Sequence, residues 1–190
     1  WAYQERIIDS PHLEVGVSGS LDLKLLGYPK VFLDGRSVKF ATHKVLALFA
    51  YLVVEGGKQP RERLQDIFWP DSESRLAQPA LRNTLARLKK ALPGVDKLLQ
   101  IDGERVEFNF CTVYTLDMEL AARALVDQQQ SEAQTLDIAM LESAVGVDRG
   151  PFMDGFSLPD APAFEEWLTL QRAIWLRRMS LVYENLSRQQ

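Results

Sequence analysis

The sequence predicts an α+β domain followed by an all-α domain that packs against it. Three observations lead to this class: short β-type segments come first, a basic amphipathic helix lies mid-chain, and only helical patterns follow residue 112. The 190 residues, 46% of them hydrophobic, can bury two modest cores. We expect an N-terminal extension at residues 1–19, a first domain at 20–111 and a helical domain at 112–190. No linker rich in Gly, Ser or Pro separates the domains, so they should be in contact.

Three short strands are predicted at the start of the first domain: Leu21–Leu26, Lys30–Leu33 and Ser37–Phe40. Gly27-Tyr28-Pro29 and Asp34-Gly35 supply the turn residues between them. The domain should therefore open with an antiparallel sheet.

Two helices are predicted after this sheet. Thr42 is a candidate N-cap for an apolar run that ends at Gly56-Gly57. Pro60 opens a shorter helix, and Pro70 ends it. A helix, a turn and a longer basic helix thus follow one another.

The basic helix has one leucine face and one cationic face. Its leucines recur at spacings of four, three and four, which places them on a single side that must be buried. No acidic residue lies between Arg75 and Lys90, and Arg, Lys and Asn side chains can reach phosphates and base edges in a major groove. A solvated surface helix would fit these residues as well. The flanking elements decide between a DNA-reading helix and a solvated one. The leucines are Leu81, Leu85, Leu88 and Leu92, and the polar residues are Arg75, Arg82, Asn83, Arg87, Lys89 and Lys90.

Pro79 affects where the basic helix begins. If the helix started at Ser72 or Ser74, Pro79 would remove a hydrogen bond and crowd the preceding turn. We therefore expect the helix to start near Pro79, with Arg75 and Gln78 in an approach loop.

A hairpin is predicted after the basic helix, because Leu98–Asp102 and Arg105–Phe110 flank Gly103. An N-terminal sheet, three helices and a trailing hairpin are the layout of a winged helix that reads DNA. The hairpin would be the wing, with Arg105 at its tip.

The residues of the first domain resemble the DNA-binding half of the Streptomyces antibiotic regulatory protein (SARP) family, a winged helix of the OmpR/PhoB type. The match spans about ninety residues, and the Trp-Pro-Asp triplet followed by the Leu-Arg helix is its most specific part. It is carried by Leu25-Leu26-Gly27, Pro29, Asp34-Gly35, Thr42, Lys44, Leu48 to Leu52, Arg61 to Leu64, Trp69-Pro70-Asp71, Leu81-Arg82, Leu85, Leu88 and Leu92.

The second half resembles the bacterial transcriptional activator domain (BTAD) of the same family. Arg149-Gly150-Pro151-Phe152-Met153 with Gly155-Phe156, and Phe164 to Trp167 with Gln171-Arg172, carry this likeness, whereas Asp148 stands where related sequences usually have an aromatic residue. The resemblance implies a fold like that of tetratricopeptide (TPR) repeats. Periodicity does not show it, since the sequence has no strict repeat of that length.

Periodicity alone predicts three helices in the second half: Leu116 to Gln129, Ser131 to Val147 and Ala161 to Ser187. The last helix has two apolar stripes, which predicts packing on two sides. One stripe holds Phe164, Leu168, Trp175, Met179, Val182 and Leu186, and the other holds Trp167, Leu170, Ile174 and Leu181.

The family resemblance implies a transcriptional activator. Two protomers would bind direct repeats of double-stranded DNA beside a promoter and contact RNA polymerase at its sigma subunit. The major groove would receive Arg82, Asn83 and Arg87, with Gln78 and Arg75 next to them; phosphates would be bound by Lys90, Lys44 and Arg61, and the flanking minor groove by Arg105 of the wing.

Charge is distributed unevenly between the two halves. Residues 20–110 hold 15 Lys and Arg against 11 Asp and Glu, a net charge of +4, whereas residues 111–190 hold 6 against 12, a net charge of −6. This asymmetry fits DNA on the first domain and a protein partner on the second, although acidic helices can also simply be well solvated.

Other function classes find little support in the sequence. The chain has two His, one Cys, no phosphate-binding glycine loop and no nucleophile elbow, so we expect no enzyme, metal or cofactor. A single Cys and no apolar run long enough to cross a membrane favour the cytoplasm. The resemblance to a family of DNA-binding regulators implies association with the bacterial nucleoid. The alternative function is a protein-interaction module of a larger signalling protein, whose winged helix does not bind DNA or is autoinhibited.

Overall fold

The computed structural model describes residues 20–72, 74–94, 98–109, 114–130 and 138–188. The predicted extension at 1–19 and the predicted domain boundary at 111 lie outside these ranges. In chain order the described elements are β1 (Leu21–Lys24), β2 (Lys30–Leu33), β3 (Arg36–Ser37), α1 (His43–Glu55), β4 (Lys58–Pro60), α2 (Arg61–Phe68), α3 (Ser74–Ala91), β5 (Leu99–Ile101), β6 (Arg105–Phe108), β7 (Tyr114–Leu116), α4 (Asp117–Gln130), α5 (Ile138–Gly146) and α6 (Pro162–Arg188).

The first sheet has the strand order β3-β2-β1-β7. β1 pairs antiparallel with β2, and β2 with β3, as the turn residues predict. The third strand covers Arg36–Ser37, so its predicted range of Ser37–Phe40 was wrong. β7 follows the hairpin and pairs parallel with β1, with Leu23 opposite Leu116. This fourth strand was not predicted, because parallel pairing needs a crossover and leaves no local turn signal.

Helix α1 forms the centre of the molecule. The Thr42 Oγ1 accepts a hydrogen bond from the backbone N–H of Val45 at 3.4 Å, which confirms the predicted N-cap. All eight residues from Ala47 to Val54 are buried, not only those on one stripe. Phe49 of α1 packs against Phe108 of β6, within the first domain. Tyr51 of α1 packs against Trp167 of the helical domain. A helix that is apolar all round suits this position between two packed units.

Helix α3 buries its leucines as the spacing predicts: Leu81, Leu85, Leu88 and Leu92 are all nearly inaccessible to solvent. The helix begins at Ser74, so the predicted start near Pro79 and the approach loop for Arg75 and Gln78 were wrong. Proline has the backbone φ of a helix and here interrupts only the second turn, where its missing N–H costs one hydrogen bond. Ala77, two residues before Pro79, is buried.

The predicted hairpin is confirmed as β5 and β6, and β4 completes a second sheet of order β4-β6-β5. Asp102 organises the hairpin turn, since its Oδ1 accepts from the backbone N–H groups of Glu104 at 2.8 Å and Arg105 at 2.6 Å. β4 was not predicted. It is three residues long and ends in Pro60, so it has neither length nor alternation to mark it.

The described part of the helical domain consists of α4, α5 and α6. Residues 131–137, where we placed the start of the middle helix, lie outside the described ranges. The first stripe of α6 is buried from Phe164 to Val182. The second stripe packs only in part: Trp167 lies against Tyr51, whereas Leu170 is 59% and Leu181 42% exposed, so the prediction was wrong for these two leucines. The described elements that α6 contacts include α2, α4 and α5.

A connecting segment, residues 149–156, joins the two domains. The backbone N–H of Met153 donates to the Leu25 carbonyl at 2.8 Å, and that of Gly27 to the Pro151 carbonyl at 2.9 Å. Arg172 of α6 holds the segment by donating to the carbonyls of Phe152, Met153 and Phe156 at 2.8 to 3.1 Å. The Arg-Gly-Pro-Phe-Met motif is thus an interdomain connector.

Asp117 anchors the same junction from the start of α4. Its buried carboxylate accepts from the backbone N–H groups of Leu25 and Leu26 at 2.9 and 2.8 Å, and Arg149 lies 3.6 Å away. Burial raises the pKa of Asp117, and these donors and the guanidinium oppose that effect. These contacts tie the sheet and the helical domain together.

Candidate nucleic-acid interface

The cationic side of α3 faces solvent. Because the leucines are buried in the core, helical geometry turns the opposite side outward. The described helices of the second domain leave this side open. The exposed residues include the predicted phosphate-binding residue Lys90 and every groove residue predicted from the sequence: Arg75, Gln78, Arg82, Asn83 and Arg87.

These residues occupy two flanks of the helix. At 3.6 residues per turn, Asn83 and Arg87 lie on the same flank as Thr84, and Arg75 and Arg82 lie on the other, with Lys90 between them. The flank of Asn83 faces the start of α1 and the helical domain. The two flanks therefore have different neighbours.

A cleft of about 470 Å³ runs along the Asn83 flank. It is bounded by four parts of the chain: the beginning of α1, Trp69 at the end of α2, the outer surface of α3 and the loop before α6. Its lining residues are Thr42, His43, Lys44, Trp69, Ala80, Asn83, Thr84, Arg87, Leu158 and Asp160.

Lys44 lies inside an interdomain contact. Its Nζ donates to Asp160 Oδ2 and to the Phe68 carbonyl, both at 2.8 Å, and sits 5.1 Å from the centre of the Trp69 ring. The Lys44 side chain is only 16% exposed, whereas that of Asp160 is 67% exposed. The residue predicted to bind phosphate thus has a carboxylate partner from the helical domain.

Arg61 and Arg105 lie together at the wing, away from that contact. The backbone N–H of Arg61 donates to the Glu104 carbonyl at 2.8 Å, and Pro60 pairs with Arg105 in the second sheet. Arg105 is exposed at the start of β6, as predicted. The Nε of Arg61 is buried and has no hydrogen-bond partner within the described part of the chain. The structure brings these two arginines into one group, and the α3 residues form another.

The donors on this surface are guanidinium, ammonium and amide groups. Such donors suit phosphate oxygens and the acceptor atoms of bases. Over the described ranges, no group of three or more His, Cys, Asp or Glu residues is arranged to hold a metal ion. None of the described helices is long and apolar enough to cross a membrane.

Sequence reasoning missed Leu158 and Asp160 as neighbours of α3. Asp160 precedes Pro162 at the start of α6, where an acidic residue would ordinarily be explained by the helix dipole. Its partner Lys44 is 116 residues away in the chain. No local pattern could have indicated this pair.

Comparison with solved structures finds a similar fold. The structure resembles that of Mycobacterium tuberculosis EmbR, solved in complex with a low-affinity phosphopeptide, with a TM-score of 0.67 and 21% sequence identity. The match covers 87% of this chain and 44% of EmbR, so the chain spans less than half the length of that protein. No family model matches the sequence, and no curated protein does. The likeness supports the predicted α+β fold of a winged helix joined to a helical domain.

Proposed function

We propose that this protein is a sequence-specific DNA-binding transcriptional regulator of the SARP type. The observation that carries the proposal is the orientation of α3, whose leucines are buried while Arg82, Asn83, Arg87 and Lys90 are exposed. A wing with an exposed Arg105 follows this helix, as in other winged helices that bind DNA.

The predicted site residues on α3 and at the wing have proposed roles in DNA binding. Arg82, Asn83 and Arg87 read base edges in the major groove, because their side chains can form paired hydrogen bonds with guanine or adenine. Lys90 binds a phosphate, as a compact charge without base selectivity. The remaining residues on the surface are given the following roles: Arg75 and Gln78 approach the groove from the first turns of α3, Arg61 contacts a phosphate, and Arg105 enters the flanking minor groove.

The helical domain is proposed to make the contact with RNA polymerase, at its sigma subunit, and the protein would thereby act as an activator. Support comes from the family resemblance and from the charge asymmetry of +4 for residues 20–110 against −6 for residues 111–190. Two protomers on one face of the duplex would read direct repeats about one helical turn apart.

Selection from a random duplex pool tests the function directly. The expected result is one enriched motif, repeated about 10 to 11 base pairs apart, centre to centre. Anisotropy titrations on the enriched and a scrambled duplex, at several salt concentrations, then separate specific from general binding. Binding that is absent, or that is equal on both duplexes, would contradict the proposal.

A second candidate function is a protein-interaction module. It is favoured by the large apolar side chains exposed on α6, Leu170, Leu176, Leu181 and Tyr183. This module would retain its partner after the cationic residues of α3 are replaced. Autoinhibition receives less support, because the described helices of the second domain do not cover that face.

A further inference from the structure

We infer that the cleft beside α3 seats one phosphate strand of the duplex, and that Asp160 of the helical domain weakens this seat by holding Lys44. The inference rests on the proposed function, since it assumes that α3 enters a major groove. It adds a residue of the helical domain to the DNA interface, as a determinant of affinity.

The position of the cleft points to a phosphate strand. A recognition helix in the major groove is flanked on each side by a sugar–phosphate backbone. On the Asn83 flank, the space that this backbone would occupy is the cleft between α3 and the start of α1. Arg87 lines the cleft from the helix side.

The start of α1 forms the opposite wall and suits an anion. The first N–H groups of a helix have no carbonyl partner in the preceding turn, and the helix dipole is positive there. Thr42 satisfies the N–H of Val45, and the N–H groups of His43 and Lys44 come before it in the first turn. The cation of Lys44 is in the same wall.

Asp160 makes this cleft less favourable for an anion. Its carboxylate lies 2.8 Å from the Lys44 ammonium and is mostly exposed, so its charge faces the same cleft. Of the three donors of the ammonium, one goes to Asp160 and one to the Phe68 carbonyl. The pair is electrically neutral as a unit, and Lys44 therefore adds no net charge for a phosphate to neutralise.

Removing the carboxylate charge tests the inference. Asp160→Asn keeps the size of the side chain and leaves Lys44 uncompensated, so DNA binding should become tighter. The slope of log affinity against log salt should become steeper by about 0.9, which is about 3.5-fold more loss between about 50 and about 200 mM salt. The measurement is an anisotropy titration with a labelled duplex carrying the selected motif.

Two variants serve as controls. Asp154→Asn makes the same change in net charge in the connecting segment, at an exposed residue that does not line the cleft, and should leave the slope unchanged. The double variant Asp160→Asn with Lys44→Gln should return to the slope of the natural protein. Equal changes for Asp160→Asn and Asp154→Asn, or a double variant that keeps the steeper slope of Asp160→Asn, would overturn the inference while leaving DNA binding intact. Loss of salt-dependent binding in every protein would instead contradict the proposed function, and the inference with it.

A cross-linking measurement gives a second and independent readout of position. A benzophenone probe is attached to Cys in an Asp160→Cys variant and, for comparison, in an Asp154→Cys variant, each with Cys111→Ser. The probe at position 160 should cross-link to the duplex and the probe at 154 should not. No cross-link at 160 in a protein that still binds the duplex would overturn the inference.

Discussion

The indole N–H of Trp167 donates to the carboxylate of Glu55 at 2.7 Å. This contact joins the helical domain to the last turn of α1, and the Trp167 ring also lies 5.1 Å from that of Tyr51. The central helix is therefore fixed from both sides, and the orientation of α3 depends on a core shared by the two domains.

Trp167→Phe should destabilise the whole molecule. The substitution removes a hydrogen bond to a charged acceptor and part of a half-buried ring, for an expected loss of about 2 to 3 kcal/mol. The free energy of unfolding from urea titration is the measurement. Leu170→Ala, three residues further on the exposed side of α6, is the control and should change it by less than about 0.5 kcal/mol. Two separate unfolding transitions in the natural protein would contradict a shared core.

Gly27→Ala should weaken the junction between the first sheet and the connecting segment. Gly27 has a φ of +97°, and a Cβ there would lie 2.8 Å from the Cβ of Arg149. Backbone strain and this clash together should cost on the order of 2 kcal/mol in unfolding free energy.

Gly35→Ala is the matched control for this substitution. Gly35 has a φ of +73° but open space around a Cβ, so only the conformational cost of about 1 kcal/mol should remain. Equal losses for the two substitutions, measured by thermal unfolding, would show that Arg149 adds no steric cost.

The stability of the wing turn should depend on pH through the ionisation of Asp102. Hydrogen bonds from the N–H groups of Glu104 and Arg105 hold the pKa of Asp102 below its usual value. A lowered folded pKa means that the carboxylate stabilises the turn above the unfolded pKa of about 3.9, and that this stabilisation is lost as the pH falls through the lower, folded pKa. The amide resonances of Glu104 and Arg105 should therefore shift together in an acid NMR titration. In Asp102→Asn this shared step should vanish, and its persistence would assign it to another group.

Arg82→Ala and Lys90→Ala should have different kinds of effect on DNA binding. The first should lose about 1 to 3 kcal/mol on the selected motif and relax selectivity at one position, whereas the second should weaken all sequences alike and lower the salt slope by about one. Anisotropy titrations on specific and random duplexes provide both values. Equal losses on the two duplexes for Arg82→Ala would refute its base-reading role.

Local sequence determined those elements whose signals come from near neighbours in the chain. Thr42 caps α1 through a residue three positions later, and the leucines of α3 are spaced by single turns. The hairpin at Asp102 is closed by hydrogen bonds two and three residues away. These features were predictable because helix periodicity and turn chemistry act over a few residues. The local rule failed at Pro79, because the helix tolerates one missing hydrogen bond while its other face is buried.

Only the tertiary structure decided how the two halves meet. The parallel pairing of β1 with β7, the hydrogen bonds of Asp117 to Leu25 and Leu26, and the Lys44–Asp160 pair all join residues more than 90 positions apart. Such contacts depend on which surfaces come together after the elements have formed, and no periodicity encodes them. The second stripe of α6 illustrates the same point, because its apolar residues predict a packed face whereas the described fold leaves Leu170 and Leu181 exposed. The cationic face of α3 could be predicted from its residues, but the carboxylate beside it followed only from the packing of the helical domain.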